Sequence, residues 1–313
     1  MRKLTVSETA GFLLERDHFL LLTHRRPDGD TLGSAAALCL GLRQLGKTAH
    51  LLYNPEVTPR YAHLQEDISK TTACPEDTVI CVDVAAADLL TDSGKQLPIH
   101  LRIDHHRSAE SFTEQEWVDP LAAACGQMIY DLLMEMGAVL DKPMANALHI
   151  AVATDTGCFR FGNNQPHTLE VAAACAKVSD EISAINREIF TVTSLKRLRL
   201  QGWIVENMHL FDEGRVAICL LPRAVEQEMG LTEDDMENIS GFLRAIEGVL
   251  IGAMLRENAD GTLKLSVRCQ QIYDAGGICA KLGGGGHRGA AGATLHIPAE
   301  EAVQAVYAAM PTI

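Results

Sequence analysis

THRRPDGDTLGS, residues 23–34, places His24, Asp28 and Asp30 directly after the apolar run Phe19–Leu22. One interpretation is a solvated turn, because Pro-Asp-Gly-Asp is favourable turn chemistry in any fold. The other is part of a metal site, since imidazole and carboxylate groups are common metal ligands. The choice between them depends on whether the rest of the chain supplies further ligands.

Short and nearly continuous apolar runs recur in the first half of the chain, and segments with helical spacing of Leu, Ala and Met separate them. The runs occupy residues 18–23, 48–53, 78–82 and 99–103, and the helical segments occupy residues 31–45, 121–136, 143–154 and 167–178. Continuous apolar strands that alternate with helices predict an α/β fold, a parallel sheet with helices on both faces.

The composition of the chain changes near residue 194. Segments 215–221, 249–257 and 262–269 resemble strands, a turn containing Asp-Gly joins the last two, and residues 298–310 predict a helix. We therefore expect a second, smaller α+β domain, with an active-site cleft between the two domains. The predicted boundaries are 1–193 for the first domain, 194–212 for a connecting helix or linker, and 213–313 for the second domain.

Charge and cysteine content limit the partners and the compartment. The formal net charge is −14, which disfavours long duplex nucleic acid, because such binding needs many Lys and Arg contacts to phosphates. A short nucleotide held by a few local cations is compatible with this charge. No run approaches the roughly 18 apolar residues of a membrane helix. The nine cysteines lack a C-x-x-C pair, so we expect reduced thiols in a cytoplasmic protein without a membrane partner.

Acidic and histidine side chains follow three of the apolar runs, at the point where each predicted strand ends. The carboxyl ends of parallel strands share one edge of a sheet, so we expect these side chains in one crevice, together with Asp155 from the end of a predicted helix. The members are His24, Asp28 and Asp30 after the first run, Asp83 after the third, and Asp104, His105 and His106 after the fourth.

Each member alone is more commonly a cap, a turn residue or a surface group than a ligand. As a set, however, the carboxylates of this crevice would repel one another unless cations neutralise them. A mixed Asp/His set favours Mn²⁺, Fe²⁺ or Zn²⁺ over Mg²⁺, and about six or seven ligands exceed the need of one ion. The pattern therefore predicts two divalent ions about 3.5–4 Å apart, bridged by a shared carboxylate.

Residues 282–292, LGGGGHRGAAG, form the second distinctive feature of the chain. One interpretation of the glycines is a flexible linker. The adjacent His, Arg and small residues favour another, in which backbone N–H groups and both cations bind a phosphate. Two arginines that end strand-like runs are either further phosphate contacts or members of surface ion pairs. The candidate substrate contacts of the second domain are Gly284, Gly285, Gly286, His287, Arg288, Arg268 and Arg256.

Taken together, these motifs resemble those of the DHH/DHHA1 phosphoesterase family. They are H-x₃-D-x-D followed by G-S, a strand-terminal Asp, D-H-H, a later Asp, and G-G-G-H-x-x-A-A-G at 284–292. The resemblance spans essentially the whole chain. It is strongest to the stand-alone oligoribonucleases that also remove a phosphate from 3′-phosphoadenosine 5′-phosphate (pAp).

The resemblance implies two Mn²⁺ ions, with Fe²⁺, Co²⁺ or Zn²⁺ as alternatives. Asp104 would orient His105, and His106 would lie close to the scissile phosphate, so the implied catalytic residues are Asp83, Asp104 and His106. The implied ligands form two sets that share Asp83: His24, Asp28 and Asp83 for one ion, and Asp30, Asp83, His105 and Asp155 for the other.

The implied activity is hydrolysis of short oligoribonucleotides and pAp to mononucleotides. Cleavage of cyclic dinucleotides or pApA is the alternative within the family. An inorganic pyrophosphatase is a third candidate, which the glycine motif and the long second domain disfavour. A nucleotide sensor without turnover is the non-enzymatic alternative, and a complete ligand set for two ions argues against it. A homodimer is compatible with the sequence, but no residue specifies one.

Overall fold

The computed structural model of the chain describes residues 2–106, 111–160, 164–236, 239–270, 272–286 and 288–313. The chain divides into two compact units, Met1–Val192 and Thr193–Ile313. Across the described ranges, no helix combines the length and the apolar character needed to cross a membrane.

The first unit alternates strands and helices. Its strands are β1 (Arg2–Lys3), β2 (Phe19–Leu22), β3 (Ala49–Leu52), β4 (Ser69–Lys70), β5 (Thr78–Val82), β6 (Leu101–Asp104) and β7 (Gln115–Val118). Its helices are α1 (Val6–Leu14), α2 (Gly29–Gln44), α3 (Cys125–Glu135), α4 (Lys142–Asp155), α5 (Pro166–Val178) and α6 (Ile182–Phe190). The strands pair in the order β1-β7-β6-β5-β2-β3-β4, and each pairing is parallel. The predicted parallel α/β fold is therefore confirmed.

The two faces of this sheet are covered differently. On one face, buried side chains such as Phe19, Leu21 and Ile80 pack against α-helices in the larger core. On the other face, Leu20, Leu22 and other strand residues pack against the connection between β5 and β6, which contains 3₁₀ helices at Ala87–Leu89 and Gly94–Gln96. This connection holds Asp, Ser and Gly at close intervals, which favours short turns over a long α-helix.

Helices α2 and α4 of the first unit pack closely on one another. Asp28 caps α2 and Asp141 caps α4, each accepting a hydrogen bond from a main-chain N–H in the first helical turn. The helices approach so closely at Gly33 that a Cβ there would lie 2.4 Å from the carbonyl oxygen of Ala147. Only glycine fits this contact.

The second unit contains a mixed sheet. Its strands are β8 (His209–Phe211), β9 (Val216–Leu221), β10 (Ile251–Glu257), β11 (Leu263–Cys269), β12 (Gly285–Gly286) and β13 (Ala290–Leu295), in the order β12-β13-β11-β10-β9-β8. Its helices are α7 (Leu195–Asn207), α8 (Arg223–Glu228), α9 (Glu233–Met236), α10 (Ile239–Arg244), α11 (Ala275–Ala280) and α12 (Ala299–Ala309). The β9–β10 pair is parallel and the other pairs are antiparallel, which confirms the predicted α+β character.

Candidate metal centre

Three neighbouring strands bring the predicted ligands to one edge of the first sheet. The strands β6, β5 and β2 lie side by side and run parallel, so their carboxyl ends meet. His24 follows β2, Asp83 follows β5 and His105 follows β6. Asp155 ends α4 and reaches the same place, because its Oδ2 lies 3.6 Å from His105 Nε2. His105 Nε2 is also 3.6 Å from a carboxylate oxygen of Asp30 and from one of Asp83.

Within the described part of the chain, three groups of side chains could each hold a metal ion. The donor atoms of each group lie within 4.8 Å of one another. Two of these groups match the ligand sets implied by the family resemblance, except that Asp83 is absent from the group of Asp30, His105 and Asp155. The groups are His24, Asp28 and Asp83; Asp30, His105 and Asp155; and Asp83, His105 and His106.

Main-chain carbonyls orient the imidazole rings of His24 and His105. His24 Nδ1 donates to the carbonyl oxygen of Arg25 at 2.8 Å, and His105 Nδ1 donates to that of Ala122 at 3.2 Å. With the hydrogen on Nδ1, each ring keeps an electron pair on Nε2 and directs it toward the carboxylates. An outer hydrogen bond of this kind is typical of histidines that bind metals.

A single hydroxyl links the members of the first group. Thr31 Oγ1 lies 2.7 Å from His24 Nε2, 2.7 Å from Asp83 Oδ2 and 3.1 Å from Asp28 Oδ1. A hydroxyl has one hydrogen to donate, so it cannot satisfy these three acceptors at once. The group therefore has more hydrogen-bond acceptors than donors.

The amino end of α3 holds Asp30 in position. Its Oδ2 accepts a hydrogen bond from Cys125 N–H at 2.7 Å, and its Oδ1 accepts bonds from Gly126 N–H and the Ser34 hydroxyl, both at 2.9 Å. A carboxylate at the amino end of a helix is also stabilised by the helix dipole. These contacts keep Asp30 buried with its oxygens at fixed positions.

Burial and mutual repulsion raise the pKa values of the clustered carboxyl groups. Burial, and then the charges of Asp83 and Asp155, raise the pKa of Asp30 well above its usual value. Burial and the charge of Asp28 raise the pKa of Asp83, and burial raises the pKa of Asp155 to about 6. The protein alone thus disfavours full ionisation of these carboxyl groups. A nearby positive charge would reduce their mutual repulsion.

Asp104 and His106 form a hydrogen-bonded pair beside the cluster. His106 Nδ1 donates to Asp104 Oδ1 at 2.8 Å, which raises the pKa of His106 to about 9. Burial alone would raise the pKa of Asp104, but this bond and the positive charge of His106 lower it. The arrangement differs from the prediction that Asp104 orients the His105 ring. From His105, Asp104 accepts the hydrogen bond of the main-chain N–H, and the His105 ring bonds instead to the carbonyl oxygen of Ala122.

The donor set of this site fits divalent cations. Asp83 Oδ1 is buried and accepts no hydrogen bond from any residue that the structure describes. It faces His105 Nε2 at 3.6 Å and His106 Nδ1 at 3.5 Å. An unsatisfied buried carboxylate oxygen is costly in a protein unless a cation or a donor meets it. Carboxylate oxygens mixed with imidazole nitrogens suit Mn²⁺, Fe²⁺ or Zn²⁺.

The glycine motif of the second unit is part of the sheet. A Cβ on Gly284 would lie 2.1 Å from the carbonyl oxygen of Gly292, and one on Gly286 would lie 2.6 Å from Ala291 Cα. Gly286 also has a φ of 144°, in the region that favours glycine. Gly285 has open space where its Cβ would be. The close pairing of β12 and β13 therefore requires glycine at positions 284 and 286. Because these residues are held against the sheet, the interpretation as a flexible linker is wrong.

The predicted substrate contacts of the second unit have different surroundings. Arg268 and the three glycines line an open groove of about 1170 Å³. Arg256 instead forms ion pairs with Glu233 at 3.1 Å and Glu226 at 3.5 Å. This was the other interpretation of the arginine in the sequence, as a member of an ion pair. Arg288 is exposed, and its guanidinium lies 3.5 Å from the carbonyl oxygen of Ile272. His287 lies outside the described residues.

Sequence reasoning missed the groups that hold the ligands in place. Thr31 and Ser34 lie in the quoted stretch at positions 31 and 34, where helical spacing from Asp28 and Asp30 could have indicated them. The N–H groups of Cys125 and Gly126 and the carbonyl of Ala122 had no sequence signal, because main-chain groups are common to all residues.

Two family models match the chain: the DHH family, N-terminal domain, over residues 18–153, and the DHHA1 domain over residues 216–311. A bifunctional oligoribonuclease and PAP phosphatase NrnA of Thermus thermophilus is 31% identical over 281 residues, which cover 88% of this chain and 83% of that protein. The Bacillus subtilis protein of the same name is 27% identical over 290 residues, which cover 90% of each chain.

A solved structure of an exopolyphosphatase-related protein from Bacteroides fragilis has the same fold. Its TM-score is 0.84 at 22% sequence identity, and the match covers 97% of this chain and 94% of that one. The two family models follow one another in the order that the sequence motifs predict. The chain belongs to the DHH/DHHA1 family.

Proposed function

We propose that the protein is a metal-dependent phosphoesterase that hydrolyses short oligoribonucleotides and pAp to mononucleotides. The observation that carries the proposal is the meeting of His24, Asp83, His105 and Asp155, from four separate segments, at one sheet edge with the carboxylates of Asp28 and Asp30. The names of the relatives from Thermus thermophilus and Bacillus subtilis support this choice of substrates.

We propose two Mn²⁺ ions as the resident metals, with Fe²⁺, Co²⁺ or Zn²⁺ as alternatives. One set of ligands is His24, Asp28 and Asp83, and the other is Asp30, His105 and Asp155 with Asp83 shared. When bound, such ions supply a nucleophilic water at neutral pH and stabilise charge on the phosphoryl oxygens.

The residues of the chain contribute binding and proton placement. The hydrogen bond to Asp104 raises the pKa of His106 to about 9 in the metal-free protein, which favours the protonated imidazole near neutral pH. With Nδ1 bonded to Asp104, the Nε2–H of His106 is available to donate to a phosphoryl oxygen or to the leaving group. Asp83 is assigned a catalytic role as the shared ligand.

In this proposal the segment 1–193 is catalytic, and the segment 213–313 binds the part of the substrate that does not react. Arg268 and the backbone of Gly284, Gly285 and Gly286 line a groove suited to a phosphate and sugar. Arg288, Arg256 and His287 are further proposed contacts. The described cysteines are free thiols, which supports a reducing compartment such as the cytoplasm.

A hydrolysis assay with a panel of phosphoesters tests the proposal. Purified protein with Mn²⁺ is incubated with pAp, oligoribonucleotides of two to five residues, pApA, cyclic di-AMP and pyrophosphate. We expect AMP from pAp and mononucleotides from the short RNAs. Inactivity on every compound while metal is bound would contradict the enzyme assignment, and a preference for cyclic di-AMP or pyrophosphate would replace the proposed substrates.

A further inference from the structure

The mixed sheet of the second unit has one face that helices cover only in part. On the other face, Leu263, Leu265 and Val267 of β11 point into the core that α11 and α12 complete. On the partly covered face, α10 packs on β10 so closely that a Cβ on Gly252 would lie 2.9 Å from Leu243 Cβ. The groove of about 1170 Å³ adjoins this face at β11 and β13. The face is therefore covered at β10 and open beside it.

The register of the strands puts polar side chains beside a floor of small ones on this open face. Lys264, Ser266 and Arg268 alternate with the buried residues of β11, so they share the open face and line the groove. Residues directly opposite in an antiparallel pair point to the same face. The opposite residues on β13 are Thr294, Gly292 and Ala290. Gly285 continues this floor onto β12, because nothing lies within 4 Å of the place of its Cβ.

Two cations of this face have no acidic partner. Neither Lys264 nor Arg268 forms an ion pair with any residue that the structure describes, and the Lys264 side chain is exposed. Arg256, which is opposite Lys264 on β10, is itself paired with Glu226 and Glu233. The open face therefore carries positive charge that the protein does not compensate, in a chain whose net charge is −14.

We propose that Lys264 holds a further phosphate of an oligoribonucleotide, beyond the phosphate assigned to Arg268 and the glycine motif. This inference rests on the proposed function and adds a preference for chains of four or five nucleotides over pAp. A strand rises about 3.3 Å per residue, so Lys264 and Arg268 are about 13 Å apart along β11, a span of one or two extended nucleotides. Gly292 and Gly285 lie between the two cations, where the absence of side chains lets a sugar-phosphate backbone approach the sheet.

Kinetics of Lys264→Gln on a long and a short substrate test this contact. We expect the KM for the pentanucleotide of adenosine to rise about fivefold, the size of a solvent-screened contact between one cation and a phosphate. The KM for pAp should stay the same, because its two phosphates are used by the metal centre and the Arg268 site. Lys264→Arg keeps the charge and should restore the wild-type KM. An equal rise for pAp and the pentanucleotide, or no rise for either, would overturn the inference.

The salt dependence of binding counts the phosphate contacts directly. For single strands, the logarithm of the binding constant falls by about 0.7 per contacted phosphate as the logarithm of the salt concentration rises. Calorimetry of pentanucleotide binding to the Asp83→Asn protein at several NaCl concentrations measures this slope without turnover. Adding Lys264→Gln should make the slope smaller by about 0.7, a change that a merely structural lysine would not cause.

A matched control and the binding data separate this inference from the proposed function. Lys177→Gln removes the same charge from the last turn of α5, outside the groove, and should leave every KM and the salt slope unchanged. An equal slope with and without Lys264→Gln would reject the Lys264 contact alone. A wild-type protein that hydrolyses no member of the panel would instead reject the proposed function.

Discussion

Asp83 occupies a position that both its chemistry and its backbone restrict. It belongs to two of the three candidate ligand groups, and its φ is 57°, in the left-handed region that Asp and Asn adopt more readily than other residues with a Cβ. Its main-chain N–H bonds the Ile103 carbonyl at 2.8 Å, which fixes the turn after β5. A substitution that tests the carboxylate should therefore preserve this backbone conformation, and Asn does so better than Ala.

We predict that Asp83→Asn abolishes hydrolysis of every substrate while the protein stays folded. The amide keeps the size and turn preference of the side chain but has lost the negative charge that two ions would share. Initial rates on pAp, together with calorimetric Mn²⁺ titration, check this prediction. The expected result is a loss of rate of at least about 100-fold and fewer bound ions per chain. Wild-type rate with undiminished metal binding would show that Asp83 is not a shared ligand.

At the scale of single residues, the sequence indicates which candidate ligands lie close together better than it indicates the groups that hold them in place. The meeting of His24 and Asp83 could be predicted because each follows a parallel strand, and the carboxyl ends of parallel strands share one edge of the sheet; Asp155 was indicated by its position at the end of an apolar helix. The partner of Asp104 could not be predicted, because His105 and His106 are adjacent in sequence and only the rotation of the chain after β6 decides which ring it meets. The main-chain N–H groups that donate to Asp30 could not be predicted either, because nearly every residue has such a group and only the fold decides which ones lie near Asp30.

At the scale of elements, the contact between α2 and α4 determines whether the ligands meet. Asp28 and Asp30 are at the amino end of α2, and Asp155 is at the carboxyl end of α4. A Cβ on Gly33 would be 2.4 Å from the Ala147 carbonyl oxygen and 2.9 Å from the Ala151 nitrogen. These are backbone atoms of α4 and cannot rotate away as a side chain would.

We predict that Gly33→Ala separates these helices and lowers both stability and metal affinity. Overpacking of this kind costs about 1–3 kcal/mol of unfolding free energy. Chemical denaturation measures the loss, and Mn²⁺ titration measures the weaker binding. Gly11→Ala in α1 is the matched control, because nothing lies within 4 Å of its added Cβ. Alanine stabilises an open helical position by up to about 1 kcal/mol. The prediction is wrong if both variants gain stability.

Elements with strong patterns could be predicted from the sequence, and weakly patterned ones could not. The bounds of β5 match the predicted residues 78–82, because this strand is an apolar run buried on both faces. The strand β7, Gln115–Val118, has no such run and forms by pairing with β6 and β1. Tertiary pairing, which local sequence does not encode, thus supplies the outer part of the sheet.

At the scale of the whole molecule, the candidate metal centre links ionisation to folding. The pKa of Asp155 is raised to about 6 from its usual 3.8, so between these values the folded chain binds protons that the unfolded chain releases. The pKa of His106 is raised to about 9 from its usual 6.5, so between these values the folded chain again binds a proton that the unfolded chain releases. Both groups therefore reduce the stability of the metal-free protein as the pH rises.

We predict that metal removal makes the melting temperature fall as the pH rises from 5 to 9, and that Mn²⁺ restores it most at the high end. The ions bind deprotonated ligands, and binding to the folded state stabilises it by mass action. Thermal unfolding at pH 5, 7 and 9, with chelator and then with excess Mn²⁺, measures both effects. Asp155→Asn removes one titrating carboxyl group, so its metal-free protein should lose less stability between pH 5 and 7 than the wild type. If the two metal-free proteins had the same slope in this interval, repulsion at Asp155 would not be what the ions relieve.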